Sequence, residues 1–291
     1  MLYVKQSSSA DKWTDVIKKC DNTPIATFET KFGMLYEGDC LSILPFINNE
    51  SVDMVFADPP YNLGKNYGKN VNDSLSEDEY VNWSKLWIAS CVRILKKGGS
   101  LFLYNLPKWN IIFGNYLLHL GMLFRHWIVI DIKLGLPIPK RLYPSHYSML
   151  YFTKGNPKTF NKIRIPIAKC RHCKKEIKDY GGHKKSLNNN GLNLADVWND
   201  IPPVRHKKFK GEYRQVNQLS TKLLQRAILL STNEDDIILD PFGGSGTTYY
   251  VCEMLSRRWI GIEIQDCGLI IDRIKNNTII PHKSYDFVDI Q

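Results

Sequence analysis

The chain has 291 residues, with 39 Lys and Arg against 29 Asp and Glu for a formal net charge of +10; 43% of residues are hydrophobic and 23% charged. That balance excludes disordered and fibrous classes, and the length suits one large domain, or one with a sizeable insertion, around a full core. No apolar run approaches the roughly 20 residues of a membrane span. The stretch Met1 to Lys31 lacks a signal-peptide apolar core, and seven cysteines are an odd count, so a cytoplasmic protein without a disulfide framework or membrane contact is expected.

Val52 to Ala57 (VDMVFA) reads as a buried strand stopped by Asp58-Pro59-Pro60. Glu77 to Leu95 has apolar residues at helical spacing, and Lys96-Lys97-Gly98-Gly99 reads as its end. Trp83, Trp87, Ile88 and Cys91 fall on its core face. Ser100 to Tyr104 is a second buried strand, Trp109 to Leu120 a helix, and Phe124 to Ile132 and Tyr147 to Phe152 further strands. Asn217 to Ser231 reads as a helix with Leu219, Leu223, Ala227 and Leu230 on one face. A strand over Asp236 to Leu239 leads into a glycine-rich turn and a helix to Ser256; a strand over Trp259 to Ile264 and a helix over Leu269 to Asn276 follow. Strands alternating with helices predict an α/β fold with a mainly parallel sheet, whose ligands bind beyond the carboxyl ends of the strands.

The segment from Tyr151 to Gln215 breaks the alternation. It holds 16 Lys and Arg against 5 Asp and Glu, leaving 23 against 24 elsewhere, so the whole basic excess lies in 65 residues. Such a patch attracts polyanions by releasing counterions. A solvated, lysine-rich insertion is the plain alternative. The interleaved Phe160, Tyr180, Asn188, Asn189, Asn190, Trp198, Phe209 and Tyr213 favour nucleic acid, because such side chains stack on bases and bond their edges.

Two strand ends carry unusual chemistry. In Asp240-Pro241-Phe242-Gly243-Gly244-Ser245-Gly246-Thr247-Thr248 the glycines allow a tight turn and close backbone approach to a ligand. Glu263, about 20 residues on, is placed to accept ribose hydroxyls. The loop lacks Gly-Lys-Ser/Thr and the third glycine of the dinucleotide fingerprint. In Asp58-Pro59-Pro60-Tyr61 two prolines stiffen the backbone and remove two donors. What remains is an acceptor cluster, the Asp58 carboxylate and the Pro59 carbonyl, beside the flat face of Tyr61. It suits an exocyclic amine on a planar ring.

Together the two motifs resemble those of the amino-methylating DNA methyltransferases that use S-adenosylmethionine. The order, catalytic motif first and FxGxG cofactor motif last, resembles the circularly permuted β group, to which adenine-N6 enzymes of restriction-modification systems belong. The resemblance covers roughly Gly33 to Asn276. It implies a Rossmann-like S-adenosylmethionine-dependent methyltransferase fold: a catalytic half over 1–150, a target-recognition region over 151–215, and a cofactor-binding half over 216–291. Asp58, Pro59, Pro60 and Tyr61 inherit the catalytic role. Asp39, Asp58, Asn217, Leu219, Asp240, Phe242, Gly243, Gly244, Ser245, Gly246, Thr247, Thr248 and Glu263 inherit cofactor binding, with Asp39 on the adenine and Glu263 on the ribose. The segment from Asn217 to Lys222 would touch the methionine moiety. Lys133 to Arg141 and His146 resemble the loop and strand near a flipped base.

Double-stranded DNA is the implied partner. Lys65, Lys69, Arg141, Arg164, Arg171, Lys174, Lys175, Lys184, Lys185, Arg205, Lys207 and Lys208 are the expected phosphate and base contacts, and the Gly- and Asn-rich stretch Gly64 to Ser74 reads as a loop that closes over DNA or cofactor. A cognate restriction endonuclease acting separately, and a monomer or homodimer, are further expectations. Cys170-Arg171-His172-Cys173 is a single CxxC without a second pair, so no metal is expected. Cytosine-N4 methylation, a DNA-binding protein without catalysis, and a nicotinamide-dependent oxidoreductase are the alternatives.

Overall fold

The computed structural model describes residues 13–64, 73–131, 139–140, 142–167, 181–182, 188, 190–201 and 218–276. Its centre is a mixed, mostly parallel sheet. The parallel strands are β2 (Gly33–Glu37), β3 (Val52–Ala57), β4 (Leu95–Asn105), β10 (Ile237–Asp240) and β11 (Arg258–Glu263), side by side in the order β2-β11-β10-β3-β4. Beyond β4 run β6 (His146–Thr153), antiparallel to β4, and β5 (Leu123–Asp131), antiparallel to β6. At that edge β9 (Val197–Trp198) pairs parallel to β5. β1 (Phe28–Glu29) closes the other edge. β7 (Arg164–Ile165) and β8 (Leu192–Asn193) form a separate two-stranded ladder.

All six residues of β3 are buried, which is why its sequence is apolar apart from Asp53: helices cover both faces of the sheet. The two-residue alternation survives in what each side chain meets. Val55, Ala57, Leu101 and Leu103 face one core with helices α1 (Cys40–Ile43), α2 (Glu77–Ile94) and α3 (Pro107–His119). Met54, Phe56, Phe102 and Tyr104 face the other, with α4 (Thr221–Ser231), α5 (Thr247–Met254) and α6 (Gly268–Asn276). Among the described residues no helix is long and apolar enough to cross a membrane.

α2 begins where its capping box demands: Ser76 Oγ accepts from Glu79 N while the Glu79 carboxylate takes the Ser76 N–H. Its end differs from the sequence reading. Lys96 to Gly99 does not trail off as a helix stop but opens β4, which starts directly at Leu95. Leu95 and Ser100 on either side of the stretch pair with β3 across a register shift, Gly98 N and the Gly99 carbonyl bond the backbone of Lys154, and the buried Asp53 carboxylate accepts from Lys96 Nζ at 2.7 Å and from Ile237 N at 3.0 Å. α4 starts at Thr221, four residues later than its periodicity suggests, and is buried on nearly every side. One reason is a side chain that should be outside: Arg226 is 1% exposed, with Asp200 Oδ1 and Oδ2 accepting its two terminal nitrogens at 2.7 and 2.5 Å. Trp198 lies over its guanidinium, 5.4 Å from ring centre.

The basic segment is tied to the sheet at both described ends, since Tyr151 to Thr153 complete β6 and Val197–Trp198 forms β9. Cys20, Cys40, Cys91, Cys252 and Cys267 carry free thiols, all but Cys20 buried.

Candidate active site

The parallel strands β2, β11, β10 and β3 are neighbours, so their carboxyl ends emerge along one edge. Each delivers residues singled out in the sequence. After β2 comes Asp39; β11 ends on Glu263; β10 ends on Asp240 and runs into the glycine turn; β3 runs into Asp58-Pro59-Pro60-Tyr61. Parallel pairing of Leu239 with Val55 puts the two motifs, 180 residues apart in the chain, on adjacent strands.

The glycine turn is shaped by what lies behind it. Gly244 and Gly246 have φ of +51° and +75°, which only glycine adopts without strain, and Gly246 caps α5. A Cβ on Gly243 would stand 2.6 Å from Tyr249 Oη. Tyr249 is stacked on Trp259 with centroids 4.7 Å apart, and its hydroxyl donates to the Asp240 carbonyl at 3.1 Å. Glu263 ties the turn to β11: its Oε2 accepts from Gly244 N at 2.6 Å and its Oε1 from Gln265 N at 2.8 Å. Burial raises the Glu263 carboxyl above its ordinary value, against those backbone bonds. Asp240 is 3% exposed and accepts from Phe242 N at 2.9 Å. Burial, with Asp58 and Glu263 nearby, pushes its carboxyl up to about 8, although hydrogen bonds from Thr248 and Phe242 N pull the other way. Ser245, Thr247 and Thr248 are buried within the turn, and Arg273 of α6 donates to the Ser245 carbonyl at 2.5 Å.

Some residues assigned to the cofactor from sequence have structural partners as well. Phe242 packs its ring between Trp83 and Trp87 of α2, at 5.8 and 5.0 Å. Asp39 caps α1, its Oδ1 accepting from Leu41 N at 2.9 Å. Leu219 is half-buried just before α4, and Asn217 lies outside the described residues.

In the Asp-Pro-Pro-Tyr turn, Tyr61 Oη donates to Asp58 Oδ1 at 2.6 Å. The Tyr61 ring is 8% exposed and lies against Tyr147 and Tyr104, at 5.9 and 6.5 Å. Burial, then the Asp58 carboxylate, raises the Tyr61 hydroxyl well above its ordinary value, so it stays a donor. The following loop is stapled at its base: the buried Asp73 accepts from Asn62 N at 2.7 Å and Leu63 N at 3.0 Å, and Asn62 exchanges side-chain bonds with Leu75. Asp73, Tyr104 and Tyr147 escaped the sequence reading. No spacing marks them, because each reaches the turn from its own element.

Of the expected DNA contacts, Arg164 is described: on β7, its guanidinium donates to the Gly191 carbonyl at 3.0 Å. Lys65, Lys69, Arg141, Arg171, Lys174, Lys175, Lys184, Lys185, Arg205, Lys207 and Lys208, and the Cys170–Cys173 pair, lie outside the described residues.

An acidic residue at or just past the end of each of four strands makes an edge suited to a ligand with amine and hydroxyl groups, and the Asp58 carboxylate suits a cationic one. Beside it the Gln265 amide nitrogen is buried and has no partner among the described residues, a donor that a bound group would satisfy. The residues therefore fit an adenosine linked to a cationic sulfonium.

A family model described as DNA methylase matches residues 52–267. Type II methyltransferase M.BamHI of Bacillus amyloliquefaciens is 54% identical over 250 residues, 86% of this chain and 58% of that protein, so the chain spans under two thirds of its length. DNA adenine methyltransferase YhdJ of Escherichia coli (strain K12) is 35% identical over 242 residues, 81% of each chain. Among solved structures, PvuII DNA methyltransferase, a cytosine-N4-specific enzyme, superposes with a TM-score of 0.61 at 21% identity, over 83% of this chain and 85% of that one.

Proposed function

The chain belongs to the DNA methylase family, and from that premise we propose that it transfers a methyl group from S-adenosylmethionine to the exocyclic amine of a base in a short DNA sequence. When bound, the cofactor supplies an electrophilic methyl group on a sulfonium. Asp39 would hold its adenine amine and Glu263 its ribose hydroxyls, and the Asp58 carboxylate favours its positive charge. The target base lies inside a duplex and has to be flipped out to be reached. Asp58 and the Pro59 carbonyl would then accept the two amine hydrogens, turning the nitrogen lone pair towards the methyl carbon. The Tyr61 hydroxyl now occupies Asp58 Oδ1, so entry of the amine exchanges one donor for another at that oxygen. The gain lies in orientation and charge placement, and Asp58 need not act as a strong base. The single observation that carries this reading is the emergence of the Asp58 turn and the glycine turn from adjacent parallel strands.

Adenine N6 is the base we propose, supported by the aspartate at 58 and by the adenine-methylating relative. The second reading is cytosine N4, which presents the same two hydrogens to the same acceptors. Residues 151–215 are the proposed target-recognition region, with their basic residues on phosphates. A type II relative favours a restriction-modification setting with a separate endonuclease.

The test is expression in a methylation-deficient host, followed by direct sequencing of modified bases. N6-methyladenine at one short motif, absent with Asp58→Ala, is the expected result. N4-methylcytosine would keep the mechanism and change the base. No modification, with labelled cofactor also failing to bind, would refute the proposal.

A further inference from the structure

The turn that carries Asp58 is gripped from behind. Tyr80, on α2, donates its hydroxyl to the Pro60 carbonyl at 2.6 Å. Trp109, on α3, donates its indole N–H to the Tyr61 carbonyl at 2.9 Å. The two rings are 2% and 3% exposed and pack on each other with centroids 4.6 Å apart. Behind Tyr80 stands Asn105, the last residue of β4, whose Nδ2 donates to Tyr80 Oη at 3.2 Å. Asn105 is itself fixed: its Oδ1 accepts from Leu106 N at 2.7 Å and its carbonyl from Ser148 Oγ at 3.1 Å. A buried chain of polar groups thus runs from β6 through β4 and α2 to the turn.

The grip has a geometric consequence. Each peptide unit is planar, and the Pro60 ring holds that residue's φ near −65°. One free torsion, ψ of Pro60, then relates the Pro59 carbonyl to the Pro60 carbonyl. The hydrogen bonds that pin the Pro60 and Tyr61 oxygens restrict that torsion, and with it the direction of the Pro59 oxygen. Among the described residues the Pro59 carbonyl accepts no hydrogen bond, whereas the carbonyls of Pro60 and Tyr61 are both drawn back into the protein.

We propose that Tyr80 is a positioning residue for methyl transfer: its hydroxyl, aligned by Asn105, aims the Pro59 carbonyl at the target amine. This rests on the reading of residues 58–61 as the methyl-transfer turn. Tyr80 touches neither base nor cofactor in this scheme, so its loss should leave both bound and misdirect one acceptor. A displacement of about 1 Å at a reacting group costs up to roughly a hundredfold in rate.

The test is Tyr80→Phe in the full-length protein, which keeps the ring and deletes the hydroxyl. Methyl transfer to a duplex carrying the cellular target is followed at saturating DNA and cofactor, with cofactor affinity taken by calorimetry without DNA. Expected are a kcat lower by about tenfold to a hundredfold, and KM for DNA and cofactor affinity within about twofold of wild type. The unfolding midpoint should move by only a few degrees, about what one lost hydrogen bond costs. Should Tyr80→Phe fail to fold, Asn105→Ser, which leaves the tyrosine hydroxyl unaligned, should show the same split at smaller size. A folded Tyr80→Phe protein with wild-type kcat overturns the inference. So does one whose KM, cofactor affinity and unfolding midpoint deteriorate with kcat, since that marks lost packing. A wild-type protein that methylates no DNA overturns the proposed function itself, and this inference with it.

Discussion

Asp200→Ala should cost the fold about 3 kcal/mol. Removing the carboxylate leaves the Arg226 guanidinium 1% exposed, stripped of both partners at 2.7 and 2.5 Å, with its Nε already lacking one among the described residues. Breaking a buried pair from one side costs about 3–5 kcal/mol. The lower figure applies here because the Asp200 side chain is 37% exposed, so water reaches the vacated site. The Trp198 ring also stays over the cation. Arg226→Met should cost less, about 1 kcal/mol, since its hydrocarbon fills the same space and Asp200 keeps Lys222 at 3.0 Å. The double variant should then be more stable than Asp200→Ala alone, because no unpaired charge remains. Urea unfolding followed by tryptophan fluorescence measures all three. An Asp200→Ala protein within 1 kcal/mol of wild type, or a double variant showing the plain sum of the single costs, would refute the reasoning. Burial alone would raise the Asp200 carboxyl, but Arg226 and Lys222 hold it well below the usual carboxylate range. A depressed carboxyl stabilises the fold above its unfolded value near 4 and loses that contribution as pH falls through the folded value. The pair therefore contributes fully at neutral pH.

Gly243→Ala would bring a methyl group within 2.6 Å of Tyr249 Oη and 3.2 Å of the Ile262 carbonyl. Since Tyr249 is wedged against Trp259, we expect a loss of about 1–3 kcal/mol and weaker cofactor binding, read by thermal unfolding and calorimetry. The Asp240 carboxyl, pushed up to about 8, binds more protons folded than unfolded between about pH 4 and 8. Stability should therefore fall as pH rises through that window, by at most about 1.4 kcal/mol per pH unit. Asp240→Asn should flatten that slope; an unchanged slope would assign it to another group.

Much of this was legible in the sequence because its causes are local. The apolar run of β3 ending in two prolines, the helical spacing of α2, and the glycines before α5 are chemistry held within a few residues of the chain. So was the alternation of strand and helix, and with it the α/β sheet. The resemblance of two motifs, in their order, pointed to the family. Where a rule was local but its context was not, the reading failed. Lys96 to Gly99 has the composition of a helix stop, yet β3 pairs with Leu95 and Ser100 on either side of it and Asp53 bonds Lys96, and together they hold it in the strand. Arg226 would face water on an isolated helix; Asp200 and Trp198, arriving from the basic segment, put it inside.

Only the tertiary structure decided which strands are neighbours, and so brought Asp58 and the glycine turn to one edge across 180 residues. Only it showed Tyr80, Asn105 and Trp109 behind the Asp58 turn. The physical reason is common to these cases. Burial and hydrogen bonding between elements depend on which surfaces meet, and that choice is made by the packing of the whole sheet rather than by spacing along the chain.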